Sequence, residues 1–301
     1  MARPLHWLEI SADYRCNNRC IGCFSVLDDG GPSMSSREIA AALVTARERG
    51  ATSLWLGGGE PTLRKDLVAT VRRARELGYQ RVKLQTNGML LAYPEFTERL
   101  VSAGVTEVNF AIKGARAETH DRLTRTPRCH ELMLKGMAEA RRHALSLEGD
   151  ILVYRSNMAE LPDMVRQYAE AGLARFNVWL FSATDQGDRD LSQQVPRISD
   201  VMPFIVQALD EHPERPADFI SSLHTPPCTI PKSHRRAAFH AADLRLWVQN
   251  PGGYGFFLEE SPIEGGHYLP GCAGCALRKD CGGVRQDYLA IHGDAELAPE
   301  S

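Results

Sequence analysis

No apolar run in this chain approaches the roughly twenty residues that cross a membrane, and Met1-Ala2-Arg3-Pro4-Leu5-His6 lacks a signal-peptide core. Both absences point to a cytoplasmic protein. Charge of one sign is lacking too: 35 Lys and Arg against 38 Asp and Glu leave a formal net charge of -3. Arg72, Arg73, Arg75, Arg141 and Arg142 alternate with acids on helix-like stretches, the pattern of solvated helix faces rather than of a nucleic-acid footprint. Neither nucleic acid nor membrane is expected as a partner. Cysteine is sparse, 8 in 301 residues, and unevenly placed: Cys16, Cys20 and Cys23 stand at the front, Cys228, Cys272, Cys275 and Cys281 near the end, and Cys129 alone. That grouping argues against a disulfide framework and for metal ligation in a reducing compartment, with oxygen sensitivity as its consequence. What remains is ordinary. At 43% hydrophobic and 24% charged, the chain can bury a sizeable core in one large domain, alone or with a small one.

The front cysteines follow the strand-like run His6-Trp7-Leu8-Glu9-Ile10-Ser11 in the spacing Cys16-x-x-x-Cys20-x-x-Cys23, with Phe24 directly after. Three thiolates can hold three corners of a four-iron four-sulfur cube and leave the fourth iron open. A zinc knuckle is the competing reading, but zinc sites usually pair CxxC hairpins or Cys/His sets. A second motif comes after the buried-strand run Thr52 to Leu56: Gly57-Gly58-Gly59-Glu60-Pro61-Thr62-Leu63. Glycines let a ligand lie against backbone, and Glu60 with free carbonyls can accept hydrogen bonds from an ammonium group.

Together these two motifs resemble the radical S-adenosylmethionine (SAM) superfamily. Its signature is CxxxCxxC, often with an aromatic residue before the last cysteine, where this chain has Gly22. The resemblance implies a 4Fe-4S cluster on Cys16, Cys20 and Cys23 that binds S-adenosyl-L-methionine, and a methionine amino group held at Gly57, Gly58, Gly59 and Glu60.

Strand and helix signals alternate through the middle. Helices are expected over Ser35 to Arg49, Arg64 to Leu77, Pro94 to Ala103, Ala117 to Leu123, Glu131 to Ala144 and Glu160 to Ala171. Between them come strands at 81–85, 107–112, 147–153 and 175–180. Such βα alternation makes an α/β fold with a parallel sheet under helices. The resemblance makes it a partial (β/α)6 TIM-type barrel over about residues 5 to 185, with its site at the strand C-terminal ends. The expected division is a core over 1–185, a linker and helical segment over 186–227, and a small loop-rich C-terminal cluster-binding domain over 228–301. The polar stretch Asp185-Gln186-Gly187-Asp188-Arg189-Asp190 serves as linker or loop over the barrel mouth, and Val201 to Leu209 as the last helix.

Strand ends supply the other candidates. Thr86-Asn87-Gly88 resembles the TNG turn of the superfamily, whose polar side chains face the cofactor, although turn chemistry alone favours Asn-Gly. Asn109, on the fourth strand, joins them as cofactor-binding. The superfamily often has a serine and an acid before the glycine that follows this strand, where this chain has Ala111-Ile112-Lys113-Gly114. Ala111 cannot reach a ribose as serine does, and Lys113 is assigned to a substrate or SAM carboxylate. Arg155 offers a planar fork for the SAM carboxylate or a polar substrate. Asn157 has helix capping as its competing role. His120-Asp121 is read as structural and Cys129 as a plain thiol.

Beyond Cys228 the chain is loop-rich, with a hairpin expected from Leu244–Val248 and Tyr254–Leu258 around Asn250-Pro251-Gly252-Gly253. Cys272-x-x-Cys275-x5-Cys281-Gly282-Gly283 resembles the auxiliary-cluster extension of SPASM and twitch radical SAM enzymes, but Arg285 stands where SPASM has a further cysteine. The expectation is one auxiliary 4Fe-4S cluster on Cys228, Cys272, Cys275 and Cys281, with structural zinc as the alternative.

The resemblance implies reductive cleavage of SAM to a 5'-deoxyadenosyl radical that abstracts a hydrogen atom, with flavodoxin or ferredoxin as electron donor. The expected substrate is a small molecule of sugar, aminocyclitol or nucleoside type, in a net oxidation, epimerisation or decarboxylation. Peptide maturation is the alternative, set second because no leader-binding domain is expected before the cysteine loop. A non-catalytic zinc protein would leave the Glu60 motif unexplained.

Overall fold

The computed structural model describes residues 3–23, 31–183, 189–261 and 266–300. Phe24 and residues 185–188 of the expected linker lie outside the described residues.

The chain runs β1 (Trp7–Ser11), α1 (Ser36–Glu48), β2 (Ser53–Gly57), α2 (Leu67–Glu76), β3 (Arg81–Thr86), α3 (Pro94–Ala103), β4 (Glu107–Ile112), α4 (Ala117–Thr124), α5 (Cys129–Arg142) and β5 (Ser146–Val153). It continues through α6 (Leu161–Glu170), β6 (Arg175–Leu180), α7 (Arg189–Ser192), α8 (Ile198–Asp210), β7 (Ile220–Leu223), β8 (Leu246–Gln249), β9 (Gly255–Phe257) and α9 (Gln286–His292). Local chemistry sets several ends. Ser35 and Glu38 form a reciprocal capping box that starts α1. Gly104 ends α3 at φ 114°, a left-handed turn that glycine adopts without a Cβ clash.

One sheet has the order β7-β6-β5-β4-β3-β2-β1-β8-β9. From β7 to β8 every neighbour is parallel, and β8–β9 is the antiparallel hairpin expected from the sequence. This mostly parallel α/β sheet is the expected barrel-type fold.

Three features depart from the sequence reading. Ile220–Leu223 adds a parallel strand beside β6 inside the segment taken as linker and helix. The hairpin assigned to the C-terminal region pairs through β8 with β1, Trp7 opposite Leu246, so it extends the barrel sheet. The helix near 201–209 is not the last, since α9 follows the C-terminal cysteines.

Strand alternation separates two faces. Leu8, Ile10, Leu54, Leu56, Val82, Leu84, Phe176 and Val178 are buried in the main apolar core with helix residues such as Leu43, Val71 and Val165. The opposite face is polar for most of its width. Lys83 pairs with Glu148 and lies 3.6 Å from Glu107, while Trp7, Trp55, Leu246 and Val248 form a separate apolar cluster near β1.

Candidate active site

After β1 the chain turns into the loop that carries Cys16, Cys20 and Cys23, all part-exposed and none in a disulfide. Its backbone is held from several sides. Gly59 N–H donates to the Asp13 carbonyl at 2.8 Å and Glu60 N–H to the Arg15 carbonyl at 2.7 Å, which fixes the entry. Asn87 Nδ2 donates to Asn17 Oδ1 at 2.7 Å, and Asn18 Nδ2 to Cys129 Sγ at 3.3 Å. Arg19 and Ile21 N–H groups donate to the Thr124 and Leu123 carbonyls near the end of α4, and the Tyr154 hydroxyl to the Ile21 carbonyl at 2.9 Å. Gly22, at φ 66°, lies against Phe181 so closely that a Cβ would stand 2.3 Å from its ring, and Phe181 stacks on Tyr154 at 4.6 Å.

Burial pushes the Cys16 thiol up to about 12 and raises Cys20 as well, against the pull of Lys113. Such thiols ionise when a metal centre takes their protons' place. Among the described residues no three Cys, His, Asp or Glu side chains converge on a single-ion site. A four-iron cube spreads its ligand sulfurs more widely than one ion does, so three soft sulfurs on one anchored loop suit a cluster better than zinc.

The glycine motif sits against this loop. A Cβ on Gly58 would lie 2.7 Å from the Asp13 carbonyl oxygen, and one on Gly59 only 2.1 Å from that of Arg15. These glycines therefore serve close backbone packing between β2 and the loop entry. Buried Glu60 accepts from Thr62 N–H at 3.0 Å, from the Thr62 hydroxyl, from Thr86 Oγ1 at 2.7 Å and from Asn87 N–H at 2.8 Å. It ties the ends of β2 and β3 together, with burial raising its pKa against these donors. Thr86 and Asn87 thus join Glu60 in one hydrogen-bonded set.

Lys113, just past β4, is buried within hydrogen-bond reach of Cys20. Burial lowers its pKa, but the neighbouring Cys20, Cys23, Cys129 and Cys16 outweigh that and raise it. Arg155 is exposed beyond β5, and its backbone N–H donates to the Gln194 carbonyl at 2.9 Å. Asn109 lies midway along β4, fully buried on the inner face. Asn157 does not cap by its side chain: it accepts from Tyr154 N–H at 2.7 Å and donates to the Lys113 and Leu152 carbonyls. His120 is fully buried, its Nδ1 accepting from Lys113 N–H and its Nε2 3.6 Å from Cys129 Sγ. Tyr154, Phe181 and Asn18 support the cysteine loop without any local sequence signal.

Cys228, Cys272, Cys275 and Cys281 line one cavity with Tyr268 and Leu277. Burial raises the Cys228 and Cys281 thiols. Arg285 is 3% exposed and donates to the Leu180 carbonyl at 2.7 Å and the Phe181 carbonyl at 2.9 Å. Asp287 accepts from Ser182 Oγ at 2.9 Å and Ala183 N–H at 3.0 Å. Arg285 and Asp287 therefore dock the start of α9 on the end of β6, beside the Phe181 that packs against Gly22.

A loop with three thiols thus follows the first strand of a mostly parallel, barrel-type α/β sheet. Residues 11–147 match the Radical SAM superfamily model, and solved neighbours share the fold. Curated relatives include a probable GTP 3',8-cyclase from Saccharolobus solfataricus, 37% identical over 40% of this chain and 39% of its own length. An AdoMet-dependent heme synthase from Methanosarcina barkeri is 31% identical over 62% of this chain and 52% of its own. The chain thus spans about half or less of these two relatives. Streptococcus suis SuiB bound to S-adenosylmethionine shares the fold at TM-score 0.72 and 15% identity, over 99% of this chain and 77% of its own. Native anSMEcpe with bound AdoMet and a peptide shares it at TM-score 0.57 and 16% identity, over 70% and 60%.

Proposed function

We propose that this chain is a radical SAM enzyme acting on a small molecule of sugar, aminocyclitol or nucleoside type. The observation that carries the reading is the loop of Cys16, Cys20 and Cys23, hydrogen-bonded at its entry to the Gly57–Glu60 motif. When bound, a reduced 4Fe-4S cluster and SAM supply one-electron cleavage of the sulfonium, giving methionine and a 5'-deoxyadenosyl radical that removes a hydrogen atom from the substrate.

The chain's own residues set the conditions for that chemistry. Cys16, Cys20 and Cys23 would hold the cluster as its three protein ligands. Glu60, with the backbone around Gly57–Gly59, would face the amino group. Thr86, Asn87 and Asn109 line the cofactor side. Lys113 and Arg155 offer cations to a carboxylate, Lys113 from inside the site and Arg155 from its mouth. Phe181 and Tyr154 screen the inner side of the loop from water. Cys228, Cys272, Cys275 and Cys281, which line one cavity, would hold an auxiliary 4Fe-4S cluster of twitch type with all four ligands from the protein; such a cluster would supply an electron acceptor, in keeping with a net oxidation. Flavodoxin or ferredoxin fits as donor to the first cluster.

Peptide maturation is the second reading. It is favoured by the overlay on SuiB, which has also been solved bound to precursor peptide SuiA. Anaerobic reconstitution with iron and sulfide, then reduction with SAM and chromatography for 5'-deoxyadenosine, tests the common chemistry. Product from wild type and none from a Cys16, Cys20, Cys23 triple alanine variant is expected. A cluster-loaded protein that binds SAM and yields none with sugars, aminocyclitols, nucleosides or peptides would sink the reading.

A further inference from the structure

Below the glycine motif, the inner face of the sheet holds a polar layer around Asp150, a residue that the chemistry above does not use; Asn109 borders both. Asp150, on β5, is 6% exposed. Its Oδ2 accepts from Gln85 Nε2 and its Oδ1 from Asn177 Nδ2, both at 2.9 Å. Among the described residues it makes no ion pair. Lys83, two positions before Gln85 on β3, is committed to Glu148 and Glu107. Asn109 and Trp179 also face Asp150. Neither completes a hydrogen bond of good geometry: both amide atoms of Asn109 and the Trp179 indole nitrogen are buried without a partner. Each such atom costs about 1–3 kcal/mol, and a buried carboxylate without a cation costs more. Three polar atoms without a well-formed hydrogen bond thus surround a carboxylate that has two good donors and no ion-pair partner, a setting that a cationic ligand would complete.

The layer is adjacent to the motif and open at its rim rather than at its centre, where Asn109 is fully buried. Gln85, Asn177 and Trp179 keep partial exposure on the inner face. Gln85 Oε1 accepts from Trp55 Nε1 at 3.0 Å and stands 3.5 Å from where a Cβ on Gly57 would be.

We propose that Asp150 and Asn109 form the floor of the substrate cavity and bind a protonated amine, so that the substrate is a hydroxylated small molecule bearing a basic nitrogen, an aminocyclitol or amino sugar. The inference rests on the radical SAM reading and narrows its substrate class. An ammonium has three donors, matched by the remaining lone pairs of Asp150 and by Asn109 Oδ1. Asn109 Nδ2 and Trp179 Nε1 are donors suited to neighbouring hydroxyl oxygens. An anionic nucleotide would instead meet a buried carboxylate that has no ion-pair partner.

The test is calorimetric binding to the reconstituted full chain, first SAM and then a panel of aminocyclitols and 2-amino sugars. Each amine is paired with its N-acetyl and hydroxyl counterparts, and GTP is the anionic probe. At least one free amine should bind tenfold or more tightly than its counterparts, and Asp150→Asn should erase that preference. Asn109→Leu provides a second variant should Asp150→Asn lose its circular dichroism. The floor is overturned by any of three results: no amine preferred over its neutral counterpart, a preference that survives in the folded variant, or GTP bound better than every amine. SAM binding and cleavage are read separately, so a protein that cleaves SAM without amine preference rejects the floor alone, and one that binds no SAM rejects the wider reading.

Discussion

Replacing Gly59 by alanine should release the cysteine loop. The new Cβ would stand 2.1 Å from the Arg15 carbonyl oxygen and 2.7 Å from the Tyr14 carbonyl carbon, far inside van der Waals contact. Both neighbours are backbone, so no side chain can rotate away. Relief requires Tyr14 and Arg15 to move by about 1 Å, next to Cys16. Overpacking of this kind costs about 1–3 kcal/mol. The movement also breaks the 2.7 Å bond from Glu60 N–H to the Arg15 carbonyl, worth about 1 kcal/mol. The sum of about 3 kcal/mol corresponds to a fall in Tm of about 5 °C. Differential scanning calorimetry of the metal-free protein measures the first effect, and iron analysis after reconstitution the second. Gly274→Ala is the control, because a Cβ there meets nothing within 4 Å. A Gly59→Ala protein that melts with wild type and loads the same iron at Cys16, Cys20 and Cys23 would refute the argument that glycine is needed for backbone approach.

Three further outcomes are expected. Alanine at Cys228, Cys272, Cys275 or Cys281 should lower iron and sulfide from about eight to about four per chain, read by colorimetric analysis, while Cys129→Ala leaves both unchanged. Arg285→Met should lower stability by about 3 kcal/mol or more, since it strands Asp287 and frees the Leu180 and Phe181 carbonyls; Arg285→Lys should not rescue it, because an ammonium lacks the fork. Glu160 is pushed up by burial, but donors from Thr119, Arg116 and Ala115 prevail and hold its carboxyl below the ordinary 4.5. Its stabilisation is therefore full above pH 4.5 and lost as pH falls through the lowered folded value. Urea titrations should show a Glu160→Gln deficit that is complete at pH 7 and shrinks in acid.

The sequence discloses what is local. The ends of α3, β4 and β6 were legible because proline, glycine and apolar alternation mark them in place. The cysteine loop and the Glu60, Thr86 and Asn87 set were legible because each motif is contiguous. By contrast, β7 is the four-residue run Ile-Ser-Ser-Leu, too short and polar to declare a strand, and gains its place only by lying beside β6. The seating of β8 on β1 is invisible to any local pattern. Tyr154 reaching the Ile21 carbonyl and Arg285 gripping the end of β6 are likewise properties of packing between distant segments. Asp150 reads in sequence as one polar residue in a strand, and its significance comes from Gln85, Asn109, Asn177 and Trp179 on three other strands.

The pairing of β1 with β8 also bears on how the protein is made. Trp7 waits for Leu246, about 240 residues later, for its second neighbour. At a synthesis rate of about 5–20 residues per second, that interval is on the order of ten seconds or longer. Throughout it, the strand leading into the thiol loop is an open edge, with unpaired backbone groups available to any other chain. The nascent protein thus carries an aggregation-prone edge beside the thiol loop until residues 246–249 leave the ribosome and close it.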